Sequence, residues 1–62
     1  MHYLLQYFTY KDLPENQRKV ALQFHDLAVN IYDTIPRNRQ AIASLEKLLE
    51  SRDCALRAVA HE

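Results

Sequence analysis

Apolar residues fall at helical spacing from Leu13 onward. Leu13, Val20, Phe24, Leu27, Ile31 and Ile35 recur at intervals of three, four and seven, which places them on one side of a helix. A helix over residues 14–34 would run about 31 Å at ~1.5 Å per residue. Leu22 and Val29 form a second apolar line about half a turn away from the first. The start is marked by Asp12-Leu13-Pro14-Glu15: Asp12 can cap, Pro14 suits a first turn, and Glu15 completes a capping-box spacing. Pro36 ends this helix, because the residue before a proline avoids the α region. Asn38 can then cap a second helix. Its face carries Ile42, Leu45, Leu49, Leu56 and Ala60, flanked by Ala41, Leu48, Ala55 and Val59. The short connection at Pro36-Arg37-Asn38 makes the two helices antiparallel neighbours.

Residues 1–11 show neither a helical period nor a firm strand alternation. They hold Tyr3, Tyr7, Tyr10 and Phe8, and read as an extended aromatic arm with room for a short turn. The predicted fold is therefore all-α. It is one domain over 1–62: an antiparallel two-helix hairpin with an N-terminal aromatic arm, assembled as a compact homo-oligomer.

The oligomer follows from size. A chain of 62 residues buries only about 60% of the surface its unfolded form exposes, and such scaffolds use disulfides, metal or association. Cys54 is the single cysteine, so no disulfide closes within the chain. A zinc site needs about four ligands, and His2, His25, His61 and Cys54 are scattered. Association remains, and a neighbouring subunit is the simplest cover for Leu22 and Val29.

Composition removes several function classes. The chain has no glycine, against an average of about 7%, so a glycine-rich phosphate loop is excluded. Net charge is zero, which gives no general attraction to duplex DNA, duplex RNA or an anionic membrane. No apolar run approaches the ~20 residues of a membrane span, and the first residues are too polar for a signal peptide. One free cysteine fits a reducing compartment, and the expected location is the cytoplasm. Thr34, Ser44 and Ser51 lack any context for a base or oxyanion hole, and Asp53 beside Cys54 disfavours a thiolate. No enzyme and no cofactor are expected.

The candidate chemistry is aromatic and basic. In Tyr7-Phe8-Thr9-Tyr10-Lys11, rings can stack on planar bases and lysine can meet phosphate. Phe8 and Tyr10 can equally act as packing residues at the helix start. Arg52 projects into the apolar stripe among Leu45, Leu48, Leu56 and Val59. It needs an anionic ligand, a carboxylate such as Asp26, Asp33 or one from a neighbouring subunit, or a path past the stripe edge. Arg57 stands one turn after Asp53, either in an i,i+4 pair or held to present its fork to a phosphate or base edge. Arg18 and Lys19 in the first turns, and Arg37 and Arg39 at the hairpin tip, offer further basic positions. His25 lies beside the main stripe, near Ala21 and Tyr32.

The order of these elements resembles a known family. Phe8-Thr9-Tyr10-Lys11, Asp26-Leu27-Ala28, Pro36, Leu45-Glu46-Lys47-Leu48-Leu49-Glu50 and Arg57-Ala58-Val59-Ala60 are similar to the helical hairpin of phage anti-CBASS sponge proteins, a domain shared with the core of anti-Thoeris sponges. The resemblance runs from Phe8 to Ala60. It implies a phage-encoded, non-enzymatic protein in the bacterial cytoplasm. Such a protein sequesters cyclic dinucleotide and cyclic trinucleotide immune messengers, 3′,3′-cyclic GMP-AMP for example, and so blocks CBASS-type defence. It also implies a homohexamer with dinucleotide pockets between subunits and trinucleotide pockets near a threefold axis. By this resemblance Tyr10 stacks on a purine and Arg57 serves a trinucleotide pocket. His25 falls near the basic helix-1 position that contacts phosphate, with Arg18 and Lys19 as alternatives. A histidine there is a departure, since a neutral ring is a weaker phosphate partner than lysine. The alternative function is an adaptor hairpin that oligomerises or binds a protein through its apolar faces, with no small-molecule ligand.

Overall fold

A computed structural model describes residues 3–61 of the chain. Met1, and His2 as a soft metal donor, lie outside the described residues. Tyr3–Tyr7 form a single 3-10 segment, α1 runs Glu15–Thr34, and α2 runs Arg39–Ala60. The helices pack against each other as an antiparallel hairpin, and the 3-10 segment touches both of them. The molecule measures 36 × 18 × 16 Å, so its long axis is set by the helix length.

The start of α1 differs from the expected cap. Pro14, not Asp12, occupies the N-cap position, with φ −55° and ψ 156° and no side-chain cap. Proline has its φ fixed near this value and no N–H of its own to satisfy, so the helix begins directly after it. Asp12 is left two residues upstream in a turn closed by the Leu13 N–H donating to the Tyr10 carbonyl at 3.4 Å. Asn16 takes over part of the capping, its Oδ1 accepting from the Gln17 N–H at 2.9 Å. The other boundaries follow the sequence pattern. Ile35 turns extended at ψ 153° in front of Pro36. Asn38 caps α2, its Oδ1 accepting from the Ala41 N–H at 3.0 Å.

The helix contact is built on small residues. Ala21 and Ala28 are fully buried on α1, with Phe24 and Ile31 partly buried beside them. On α2, Ala41, Leu45 and Arg52 are buried, and Leu48, Ala55 and Val59 are partly so. Both buried lines alternate steps of four and three: Gln17, Ala21, Phe24, Ala28, Ile31, Ile35 on α1 and Ala41, Leu45, Leu48, Arg52, Ala55, Val59 on α2. That spacing keeps one seam facing a partner helix. Alanine lets the two backbones approach, and the larger neighbours wedge in at the sides. Gln17 ties the open end, its Nε2 donating to the Leu56 carbonyl at 3.3 Å. Placing alanine at the centre turns the first expected stripe partly outward. Leu27 and Ile42, expected on the core faces, are 47% and 37% exposed, and Leu22 of the second line is 38% exposed.

The arm supplies the rest of the core. It folds back as the 3-10 segment rather than running extended. Leu4, Leu5 and Phe8 are buried, and together with Ala28 and Leu45 they form the core, against which Phe24, Ile31, Tyr32, Leu48 and Leu49 pack. Phe8, expected as a staple on the first turns of α1, lies against its second half instead. Its 1% exposure matches that of Leu45. Among the described residues no helix is long and apolar enough to cross a membrane.

Two substitutions test this packing. Ala28→Leu overfills a fully buried core position and is expected to lower stability by about 1–3 kcal/mol. Asn38→Ala removes the α2 cap and should lower it by about 1 kcal/mol. Urea midpoints followed by circular dichroism check both, and an unmoved midpoint for Ala28→Leu would place the helix contact elsewhere.

Candidate functional site

The bend between the 3-10 segment and α1 leaves a groove of about 300 Å³, lined by Leu5, Phe8, Thr9, Tyr10, Lys11 and His25, with Gln6 and Asp12 at its edge. Arm and helix build it together. The arm contributes Phe8, Tyr10 and Lys11, and the middle of α1 contributes His25. The Tyr10 and His25 rings meet at a centroid distance of 4.9 Å, tilted by 59°. Lys11 Nζ stands 6.0 Å from the Tyr10 centroid, at the limit of a cation–π contact. Tyr10 is partly buried.

His25 has its two nitrogens in different settings. Nδ1 lies 3.2 Å from Asp26 Oδ1. A neutral ring that donates from Nδ1 to Asp26 presents Nε2 as an acceptor, suited to the amino group of a base. A charged ring presents Nε2 as a donor, suited to phosphate. Charge in the groove is balanced. Of its lining residues, Lys11 is offset by Asp12. Recognition here rests on flat surfaces and directed donors rather than on a strong field.

The remaining expected residues are spread more widely. Arg52 is buried, as its place in the stripe requires, but its partners are neither Asp26 nor Asp33. Nη2 donates to the Thr9 carbonyl at 2.7 Å and weakly to Thr9 Oγ1 at 3.4 Å, and Nη1 donates to Asp53 Oδ1 at 3.2 Å. Asp53 therefore pairs with its neighbour Arg52 instead of with Arg57 one turn on. Arg57 is exposed, with Nη2 3.5 Å from Cys54 Sγ. Arg18 donates to the Leu13 carbonyl at 3.1 Å, and Lys19 lies 4.0 Å from Glu15 on an open surface. Neither reaches the arm groove, and neither does Arg57.

A larger concavity of about 520 Å³ lies at the hairpin tip, between Tyr32, Ile35, Arg37, Ala41, Ile42 and Leu45. Its walls are mainly apolar, and Arg37 covers the Tyr32 ring at 4.1 Å. Size favours the tip, but chemistry favours the arm groove, where two rings, a lysine and an imidazole converge. Thr9 is the site residue that sequence reading passes over. Its contribution is a backbone carbonyl, which leaves no mark in the identity of the side chain. No cluster of histidine, cysteine, aspartate or glutamate among the described residues could hold a metal ion.

Stability measurements separate the groove residues from its foundation. Lys11→Ala and Arg57→Ala, both on open surface, are expected to change stability by no more than about 0.5 kcal/mol. Phe8→Ala should lower it by about 3–5 kcal/mol, comparable to all that a core of this size supplies. Thermal melts of the three variants test this, and a mild effect of Phe8→Ala would mean that the arm does not carry the core.

Set beside known protein families, curated proteins and solved structures, the chain finds no match.

Proposed function

We propose that this chain is a non-enzymatic sponge for cyclic di- and trinucleotide immune messengers, acting as a homo-oligomer, with a hexamer as the assembly, in the cytoplasm of a phage-infected bacterium. The observation that carries the reading is the convergence of Tyr10, Lys11 and His25 over Phe8 in one groove. A cyclic dinucleotide offers two flat bases and two phosphates. Two copies of the groove brought together by a twofold axis would offer two tyrosines and two sets of polar donors. Each aromatic–base stack is worth about 1–3 kcal/mol. Two stacks with two charge-assisted phosphate contacts reach toward nanomolar affinity, near −12 kcal/mol. Arg57, exposed near the end of α2 and outside the groove, is assigned to a separate trinucleotide pocket, with Arg18 and Lys19 as auxiliary phosphate contacts.

A sponge needs no reaction. On this reading the ligand is held intact and withdrawn from its effector. The adaptor reading draws on a different observation: Leu22, Leu27 and Ile42 remain substantially exposed on the single chain, and a protein partner could cover them.

Isothermal titration against 3′,3′-cyclic GMP-AMP and a cyclic trinucleotide separates the two. The sponge binds saturably with fewer than one cyclic dinucleotide per chain, and chromatography recovers the ligand unbroken. Tyr10→Ala removes both stacks from each ligand and is expected to weaken dinucleotide binding by about 30- to 10,000-fold. Arg57→Ala should weaken the trinucleotide and spare the dinucleotide. Absence of heat with every ligand, from folded protein, would leave the adaptor reading in front.

A further inference from the structure

Arg52 is an anomaly in the helix seam. It occupies the four–three buried line of α2 between Leu48 and Ala55, and it is 8% exposed. Its Nε is buried with no hydrogen-bond partner, which lowers stability. An apolar side chain of similar length would avoid that loss but would leave the Thr9 carbonyl without its donor, so what the arginine supplies at this position is that bond. A polar residue in such a seam characteristically fixes how its partners are placed. What this one holds is the arm at Thr9, chiefly its carbonyl oxygen at 2.7 Å and weakly its Oγ1 at 3.4 Å.

That oxygen belongs to the peptide unit joining Thr9 to Tyr10. The unit is planar and includes the Tyr10 Cα, so holding the oxygen restricts the plane from which the Tyr10 side chain departs. On the other side of Tyr10, its own carbonyl accepts from the Leu13 N–H. Residues 8–10 belong to no helix or strand, so their backbone is held by these two bonds together with the buried Phe8, whose N–H donates to the Leu5 carbonyl at 3.1 Å. Asp53 steadies the guanidinium from the outside through Nη1 at 3.2 Å.

We propose that Arg52 is a positioning residue: without touching the ligand, it holds the Thr9 carbonyl so that the Tyr10 ring stands against His25, open to a stacking base. The ligand part of this inference rests on the sponge reading, whereas the ring placement does not. Arg52→Met in the full chain keeps both helices by circular dichroism, and the nuclear Overhauser contact between the Tyr10 and His25 rings, measured without ligand, disappears. Affinity for 3′,3′-cyclic GMP-AMP falls about 10-fold, part of the value of a base stack. Arg52→Lys, which keeps one charged donor, recovers part of both. In a Tyr10→Ala background the methionine substitution weakens binding no further, because the two residues act as one unit.

Arg52→Gln repeats the test should the methionine variant fail to fold. An intact ring contact in a folded variant overturns the proposal, as does an equal loss of affinity on the Tyr10→Ala background. Unfolding of both variants overturns it too, by making Arg52 a requirement of the fold itself. Failure of the wild-type protein to bind the ligand sinks the sponge reading, and the ring contact then still decides what Arg52 does.

Discussion

Burial of Phe8 against both helices is the interaction on which the rest of the molecule depends. Two helices packed side by side cover one seam, and for a chain this short that seam is a meagre core. Phe8, with Leu4 and Leu5, adds an apolar layer that reaches Ala28 on one helix and Leu45 on the other. Fixing Phe8 also fixes where the chain leaves the core. Thr9 and Tyr10 then have to pass over the middle of the hairpin, within reach of Arg52 and His25. Packing and site geometry are thus one problem in this fold, since the residue that closes the core also forms the floor of the groove.

The groove gains definition from contacts that contribute little to stability. The Tyr10–His25 ring contact, the lysine over the tyrosine ring and the His25–Asp26 contact involve side chains that are exposed or only partly buried. Such interactions are individually weak in water. Their value is in orientation, because each limits the freedom of a group that a flat, anionic ligand would meet. The balanced charge has a consequence as well. With Asp12 beside Lys11, the groove lacks the broad positive potential of a surface that gathers nucleic acids of any sequence, and selection falls to shape and stacking.

The outer surface has the opposite character. Leu22, Leu27 and Ile42 remain well exposed, and the tip groove is walled mainly by apolar side chains. Isolated exposed leucines are ordinary. On a molecule of this size, however, they represent apolar area that the hairpin and arm together have left uncovered. Association of copies is the simplest way to bury it, and the proposed twofold-related grooves require such an assembly.

Much of the architecture was legible in the residues. The four–three spacing of apolar positions, Pro36 after Ile35 and Asn38 before α2 dictated two antiparallel helices, because helix periodicity and backbone chemistry are local properties. The anomaly of Arg52 was legible for the same reason, as a charge at an apolar position. Its partners were not, since a carbonyl from Thr9, distant along the chain, carries no sequence signature. The strongest hydrophobic residues also misdirected the reading of α1. Large side chains such as Leu27 outweigh alanine in any pattern, yet it is Ala21 and Ala28 that are fully buried while Leu27 stays exposed. The sequence by itself therefore determined the two helices, the turn between them and the aromatic and basic composition of the arm. Only the tertiary structure decided which face is buried, that the arm folds back on Phe8, and that Tyr10 meets His25, because those outcomes depend on volumes and distances between segments remote along the chain.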